Sequence, residues 1–306
     1  MADNQKDEYA MQSERIRERM DRIGRKIVVM SGKGGVGKTT VTVNLANMLV
    51  DMGATVGVLD TDLHGPNVAK MFGVENATID SADGVSFIPV NPRPGLKVMS
   101  LAFALEDPDA PVIWRGSMKG GAIRQFLADT DWGTLDYLII DTPPGTGDEQ
   151  LTLCQSIDDI TGTVIVTTPQ DVAILDARRS VNFARKLGMP IIGVIENMSG
   201  LICPHCNEEI PIFGKGGGRR MCMSMGAPFL GAVPMEMDLR EAEDDGKNWN
   251  LDGASHPSRD AFYAIVDKIH NGNACTTGRD MSFKGTSKCN PSNCAHCTSN
   301  CSSRNE

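Results

Sequence analysis

The chain has 306 residues, of which 41% are apolar, enough to bury a large core. This length suits one α/β domain with appendages or two small domains, and we favour one main domain. Its net charge of −9 argues against a non-specific nucleic-acid binder, which needs a basic face, so we expect no nucleic-acid partner. No apolar stretch approaches the ~20 residues of a membrane span, and residues 1–24 are charged throughout, unlike a signal peptide. We therefore expect a cytoplasmic protein without a membrane partner.

The first segment of the chain predicts a short amphipathic helix over residues 8–23. Ile16, Met20 and Ile23 share one helical face among Glu and Arg residues, which favours packing on the main domain. A membrane-surface role is the alternative, although the polar face mixes both signs of charge. We assign residues 1–24 to this extension, 25–271 to the main domain and 272–306 to a Cys-rich tail.

A complete phosphate-binding loop occupies residues 32–39, directly after the apolar run 26–30, which predicts a buried strand. Apolar residues then repeat at helical spacing from Val41 to Leu49, so the loop opens a helix. Its glycines let backbone N–H groups turn toward phosphates, Lys38 reaches the outer phosphates, and Thr39 can ligate Mg²⁺. The sequence therefore predicts a nucleotide site.

Lys33 is a second lysine, placed directly after the first glycine of the loop. It is either a solvated loop lysine or a charge aimed across a dimer interface at the phosphates of a second subunit. Composition does not decide between these alternatives.

Continuous apolar runs at 55–59, 137–140, 163–166 and 191–195 predict further buried strands, with helices at about 172–187 and 256–270. Residues 73–95 are rich in Gly, Pro, Asn and Asp and predict a loop region with a short hairpin. Buried strands that alternate with helices indicate a mostly parallel sheet covered by helices on both faces. The predicted fold class is α/β.

Acidic residues follow two of these strands. Ligands of open α/β sheets bind beyond the carboxyl ends of the strands, where Asp60, Asp62 and Asp141 all emerge. We expect Asp141 to hold Mg²⁺ with Thr39, Asp62 to position the hydrolytic water, and Asp60 to support the metal shell. Each could instead be a helix N-cap or a turn residue.

Two glycines, Gly145 and Gly147, follow the Asp141 strand. They provide a flexible segment that could sense the γ-phosphate through an order–disorder switch.

The nine cysteines are unevenly spaced, which points to metal or redox chemistry before disulfides. Cys154 and Cys222 stand alone in helix-like segments and are interpreted as small buried hydrophobes. Cys203 and Cys206 form a CxxC pair, with His205 interpreted as a solvent-facing spacer. A closed tetrahedral site needs four ligands, so a two-fold dimer that brings two pairs together would complete it.

At this point the chain resembles a known family, the Mrp/Nbp-type iron–sulfur cluster carrier ATPases, within the deviant Walker A superfamily of MinD, ParA and nitrogenase reductase. The resemblance spans roughly residues 24–270. It rests on the segments 33–40, 59–67, 114–116, 140–148, 196–198 and 203–206.

The resemblance implies a homodimeric ATPase that holds a [4Fe–4S] cluster between subunits through Cys203 and Cys206. Its expected partners are cluster-assembly proteins and the apo-proteins that receive the cluster, and its expected cofactors are ATP and Mg²⁺. It implies that Lys33 acts across the dimer, so that the catalytic residues are Lys33, Lys38, Asp60 and Asp62. The nucleotide-binding residues are then Gly34, Gly35, Val36, Gly37, Lys38, Thr39, Thr40 and Asn197, with Asn197 against the adenine.

The tail departs from the family pattern. Relatives that carry extra cluster cysteines have them in an N-terminal extension, whereas this chain has Cys289, Cys294, Cys297 and Cys301 at the other end. From residue 271 onward the composition cannot support a hydrophobic core. The four thiols predict a second Fe–S cluster, a Zn²⁺ site or a disordered tail that engages partners, and Cys275 is interpreted as a bystander.

Two other functions share the same loop and strands. A MinD/ParA-type spatial organiser would bind membrane or DNA, which requires a basic surface or an amphipathic terminal helix. An electron-transfer ATPase similar to nitrogenase reductase would reduce a partner without handing over its cluster. The cluster carrier is the leading hypothesis.

Overall fold

The computed structural model describes residues 2–62, 65–81, 83–104, 116–203, 205–206, 208–248 and 256–272, with side chains from residue 7 onward except at 116–117. The helices of these residues are α1 (Ala2–Met20), α2 (Lys38–Asp51), α3 (Asn67–Met71), α4 (Gly116–Asp129), α5 (Asp148–Ser156), α6 (Asp171–Lys186), α7 (Gly217–Met225), α8 (Met237–Asp244) and α9 (Pro257–Asn271). The strands are β1 (Ile23–Ser31), β2 (Val56–Asp60), β3 (Asp80–Ser81), β4 (Phe87–Ile88), β5 (Val90–Arg93), β6 (Leu96–Ser100), β7 (Leu135–Asp141), β8 (Gly162–Thr167), β9 (Ile191–Glu196), β10 (Leu201–Ile202), β11 (Glu209–Ile210) and β12 (Phe229–Ala232).

Eight of the described strands form one sheet in the order β12-β9-β8-β1-β7-β2-β6-β5. Neighbouring strands are parallel except at the edge, where β5 runs antiparallel to β6. Every residue of β2, β8 and β9 is buried, although consecutive side chains of a strand point to opposite faces. Both faces of the sheet are therefore covered, which confirms the predicted α/β fold.

The elements predicted from apolar runs are present. Strands β1, β2, β7, β8 and β9 lie where the apolar runs predicted them, and α6 and α9 each differ from prediction by one residue at each end. The hairpin expected within residues 73–95 is the antiparallel pair of β3 and β4. Asp60 and Asp141 are the last residues of their strands rather than the first residues beyond them.

Several elements were not predicted, among them β5, β6, β12 and α4. Lys97 interrupts the apolar pattern of β6, and its ammonium instead donates to the carbonyl of Trp132 at 2.7 Å. Gly120 and Gly121 lower the helix propensity of α4, which nevertheless packs against α1 and α5. In both cases tertiary packing outweighs local preference.

Helix α1 is longer than the predicted helix and ends earlier. Ile16 and Met20 are buried as expected, whereas Ile23 lies in β1, because the helix ends at Met20. The buried Lys26 ammonium donates to the carbonyls of Met20 (3.0 Å) and Ile23 (3.1 Å) and pairs with Asp159 (2.5 Å). This contact fastens the end of α1 to the sheet, and β1 begins before residue 25, where the main domain was expected to start.

The Cys-rich tail falls outside the described residues, including Cys275, Cys289, Cys294, Cys297 and Cys301. No helix in the described part of the chain has the length and apolar content needed to cross a bilayer.

Candidate functional site

The phosphate-binding loop joins β1 to α2. Gly35 and Gly37 have φ angles of 77° and 79°, a left-handed conformation that glycine adopts without strain. A Cβ atom on Gly37 would lie 2.1 Å from the amide nitrogen of Asn197, so a larger residue does not fit there. Gly34 and Gly35 are exposed while Val36 is buried. The loop is therefore anchored at Val36 and open along its glycines.

Asp141 is the centre of a buried polar cluster at the start of α2. Its Oδ2 accepts a hydrogen bond from Thr39 Oγ1 at 2.8 Å, and its Oδ1 accepts one from Thr42 Oγ1 at 2.7 Å. Lys38 Nζ lies 2.6 Å from Oδ2 as an ion pair. The structure thus brings together the two residues predicted to hold Mg²⁺. Their carboxylate and hydroxyl oxygens are the hard ligands that suit this ion.

Asp60 lies beside Asp141, its partner in the register of β2 and β7. Its carboxylate is fully buried and accepts hydrogen bonds from the Asp62 N–H and Ser100 Oγ, both at 3.0 Å. Burial and, secondly, the charge of Asp141 raise the pKa of Asp60 to about 8, with Lys38 acting in the opposite direction. The buried carboxyl of Asp60 is therefore harder to ionise than that of an ordinary aspartate.

Asp62 is also buried, next to Asp60 at the carboxyl end of β2. The structure places the three predicted carboxylates at one edge of the sheet, as expected for parallel strands. Their catalytic roles stay predictions.

Lys33 lies on the loop with a partly exposed side chain. Its carbonyl accepts a hydrogen bond from Ser31 Oγ at 3.0 Å, which fixes the backbone before the glycines. Its ammonium forms no salt bridge within the described part of the chain.

The segment after β7 is held at both ends. The Gly145 N–H donates to the Ser31 carbonyl at 2.8 Å. The Gln150 carboxamide spans the glycines, because its nitrogen donates to the Pro143 carbonyl (2.5 Å) and its oxygen accepts the Gly147 N–H (2.7 Å). Gln150 was not predicted, although a Gln three residues after a helix N-cap is a known capping signal.

Asn197 connects the end of β9 to the loop. Its side-chain nitrogen donates to the Val36 carbonyl at 3.0 Å, and its backbone N–H donates to Thr167 at 2.8 Å. The next residue, Met198, has a φ of 55°, an uncommon conformation for a residue with a Cβ atom. Asn197 thus lies directly against the phosphate-binding loop, and a contact with adenine stays a prediction.

The CxxC pair lies at the tip of a hairpin formed by β10 and β11. The Cys203 N–H donates to the Glu208 carbonyl at 2.9 Å, while His205 and Cys206 are exposed. The Cys203 sulfur accepts the backbone N–H groups of His205 and Cys206 and then the Cys206 thiol, which lowers its pKa. The turn is therefore shaped to stabilise a thiolate, and His205 has the solvent-facing position that was predicted.

One copy of the hairpin supplies an incomplete metal site. Among the described residues, no group of three or more His, Cys, Asp and Glu side chains is placed to hold a metal ion. Cys222 is buried and Cys154 partly buried, and burial raises the pKa of each thiol to about 12. The interpretation as a small buried hydrophobe is confirmed for Cys222, whereas Cys154 is only partly buried, packed against the core.

Glu196 is a structural residue that sequence reasoning missed. Its buried carboxylate accepts hydrogen bonds from Ser199 Oγ (2.7 Å) and from the N–H groups of Gly216 (2.8 Å) and Gly218 (2.6 Å). It thereby caps α7 and fixes the backbone that leads to the CxxC hairpin. A second missed residue, Glu243, accepts a hydrogen bond at 3.0 Å from Thr40, which directly follows the loop in α2. Both contacts join residues far apart in the chain.

Residues 22–270 match the ParA family model described as the NUBPL iron-transfer P-loop NTPases. The chain belongs to this family. An iron-sulfur cluster carrier protein from Methanocaldococcus jannaschii is 56% identical over 237 residues, 78% of this chain and 81% of that protein. The iron-sulfur cluster carrier protein of Pyrococcus furiosus is 49% identical over 271 residues, 85% of this chain and 90% of that protein.

Solved structures agree with the family assignment. A nucleotide-binding protein from Archaeoglobus fulgidus, in complex with ADP, superposes with a TM-score of 0.68 at 36% identity, covering 80% of this NUBPL-family chain and 98% of that one. The septum site-determining protein MinD from Pyrococcus horikoshii, complexed with Mg-ADP, gives a TM-score of 0.59 at 22% identity, covering 80% of this chain and 95% of that one. The second likeness shows a shared fold alone.

Proposed function

We propose that this protein binds and hydrolyses ATP and carries a [4Fe–4S] cluster, which a homodimer holds between its subunits and delivers to apo iron–sulfur proteins. The observation that carries the proposal is the hairpin of β10 and β11. It exposes Cys206 and leaves Cys203 partly exposed, while the described residues add no third ligand. The relatives named as cluster carriers support the same cargo.

A two-fold dimer completes the ligand set. Two hairpins related by the dimer axis would supply four thiolates from Cys203 and Cys206, the number that a [4Fe–4S] cluster requires. Both thiols lie at the protein surface, which suits a cargo that must be loaded and released. The cluster is the substrate of this reaction rather than a resident cofactor.

The loop and the carboxylates supply the nucleotide chemistry. Backbone N–H groups of the residues 34–37 and the start of α2 would cradle the phosphates, and Lys38 would exchange its ion pair with Asp141 for the outer phosphates. Thr39 and Asp141 would hold Mg²⁺, which supplies positive charge to the phosphates when bound. Asp62 would position the attacking water, and Asp60 would support the shell of the metal ion.

Lys33 would complete the site of the partner subunit. Its ammonium forms no salt bridge within the described residues, and its carbonyl is tied to Ser31. A lysine held at the backbone but free at its charged end can reach across a dimer to stabilise negative charge on the transferred phosphate. Hydrolysis would then require two subunits.

The tail cysteines form a separate part of the proposal. Cys289, Cys294, Cys297 and Cys301 would hold a second Fe–S cluster or Zn²⁺, or the tail would engage cluster-assembly partners without metal. Any metal of the tail must be counted apart from the bridging cluster.

Anaerobic native mass spectrometry after Fe–S reconstitution tests the proposal on the full chain. We expect a variant with all four tail cysteines changed to Ser to form a dimer with one [4Fe–4S] cluster. Adding Cys203→Ala and Cys206→Ala should remove that cluster, whereas Cys154→Ala, a matched cysteine change away from the hairpin, should keep it. Zinc alone, or one cluster per monomer, would overturn the bridging site.

A further inference from the structure

Glu243 of α8 is a buried acidic residue in contact with the first turns of α2, directly after the phosphate-binding loop. Its Oε2 accepts a hydrogen bond from Thr40 Oγ1 at 3.0 Å, and its Oε1 accepts one from Asn44 Nδ2 at 2.8 Å. Asn44 also donates to the Thr40 carbonyl at 2.8 Å. One carboxyl group therefore holds both the hydroxyl of Thr40 and, through Asn44, the first turn of α2.

The surroundings of Glu243 do not compensate its charge. Helix α2 presents the neutral Thr40 and Asn44, and on α8 itself the charge that acts on Glu243 is the like charge of Asp244. Lys70 of α3, which packs on α8, faces Glu75 and Asp245 instead. Burial, the largest cause, raises the pKa of Glu243 to about 7, with Asp244 adding to the effect.

The charge state of Glu243 decides what Thr40 can offer to a ligand. A hydroxyl has one proton to donate, and the Thr40 proton points to Glu243 when that residue is a carboxylate. Phosphate oxygens are acceptors and need that proton. A neutral Glu243 can itself donate to Thr40 Oγ1, which frees the threonine proton for phosphate and removes a negative charge beside it.

We propose that Glu243 is a positioning residue of the nucleotide site and that it couples nucleotide binding to the uptake of a proton from solvent. With the loop empty, Glu243 is partly charged and holds the Thr40 hydroxyl. With phosphates in the loop, Glu243 is neutral and the Thr40 hydroxyl faces the ligand. The inference rests on the proposed binding of nucleotide at this loop and adds a second helix, α8, to the site.

Isothermal titration calorimetry with ADP and Mg²⁺ tests this inference on the full chain. Glu243→Gln keeps the size of the side chain and stays neutral at every pH. We expect it to bind ADP about tenfold tighter than wild type at about pH 8.5 and about equally at about pH 5.5. The phosphates of ADP titrate in the same way in experiments on both proteins, so their effect cancels in the ratio of the two ADP affinities. Glu241→Gln, an exposed glutamate of the same helix that pairs with Arg240, should follow wild type.

The number of protons taken up when ADP binds provides a second test, and it can be measured on wild type whatever the stability of the variant. Titrations of wild type near pH 7 in buffers of different ionisation enthalpy should reveal uptake of a fraction of a proton, larger than in Glu243→Gln. Thr40→Val should reduce the gain in affinity from Glu243→Gln, because only the charge effect then remains.

The possible outcomes distinguish a failure of the role of Glu243 from a failure of the proposed nucleotide binding. A ratio of affinities that does not change with pH, or an equal gain from Glu243→Gln with and without the Thr40 hydroxyl, would overturn the role of Glu243. Absence of ADP binding to wild type itself would instead overturn the proposed function.

Discussion

The side-chain nitrogen of Asn197 donates a hydrogen bond to the Val36 carbonyl at 3.0 Å, inside the phosphate-binding loop. The same segment of chain continues through Met198 and Gly200, with φ angles of 55° and 89°, to Cys203. The nucleotide site and the cysteine hairpin are therefore joined by a short stretch of backbone in an uncommon conformation. Such a segment can change its arrangement when either ligand binds.

We expect Asn197→Ala to weaken the coupling between cluster and nucleotide. If bound nucleotide changes how firmly the cluster is held, the cluster must change ADP affinity by the same factor, because coupling between two sites is reciprocal. In wild type, ADP affinity should therefore differ between apo and cluster-loaded protein by about 5- to 150-fold, the range of a typical coupled pair of sites. Removing the contact with Val36 should bring the ratio of the ADP affinities of the apo and cluster-loaded forms closer to one. Calorimetry on both forms measures it, with Asn271→Ala, whose exposed amide bonds within α9, as the control. Equal ADP affinities in apo and loaded wild type would refute the coupling.

The two loop lysines should differ in the step that they support. Lys38→Ala should abolish nucleotide binding, because Lys38 lies within the loop cluster with Asp141. Lys33→Ala should bind ADP normally and lose about 10²-fold or more in hydrolysis, if its charge acts on the partner subunit as we propose. Measurements of phosphate release and of equilibrium ADP binding distinguish a loss of hydrolysis from a loss of nucleotide binding.

Mixing the two lysine variants tests the action of Lys33 across the dimer. A mixed dimer has one site with an intact Lys38 that receives Lys33 from its partner. Equal amounts should therefore restore about a quarter of wild-type hydrolysis by random pairing. A mixture as inactive as its components would contradict the assignment of Lys33.

The charge of Glu243 should also appear in the stability of the ligand-free protein. Its pKa is raised from 4.5 to about 7 on folding, so between these values the folded protein keeps a proton that the unfolded chain has released. Rising pH therefore lowers the free energy of unfolding across this window, by about 3 kcal/mol at the end of it. Urea unfolding should show this loss in wild type but not in Glu243→Gln. A difference between the two proteins that is constant from pH 4 to pH 8 would contradict it.

Lys26→Met should destabilise the protein and release α1. The change leaves the buried carbonyls of Met20 and Ile23 without their donor and Asp159 without its partner, at a cost of about 2–4 kcal/mol. Urea unfolding measures the loss, and hydrogen exchange should become faster in residues 10–20. Lys186→Met, on the exposed end of α6, is the control. Unchanged exchange in α1 would show that Lys26 does not hold the helix.

Local patterns in the sequence were sufficient for the phosphate-binding loop, the buried strands and the CxxC pair. The loop residues are contiguous, so their glycine spacing already fixes the backbone that a phosphate needs. Strands such as β8 and β9 are buried on both faces and therefore appear as uninterrupted apolar runs. Asp60 and Asp141 could be placed together because parallel strands end at one edge of the sheet.

Tertiary structure alone decided the strand order, the edge strands and the contacts between distant residues. No local pattern reveals that Glu196 caps α7 or that Glu243 reaches Thr40. A lone polar residue in a helix or at a strand end has the same sequence signature whether it is solvated or buried. Its role follows from the burial and the partners that packing imposes, because desolvation makes each such group depend on the hydrogen bonds it finds.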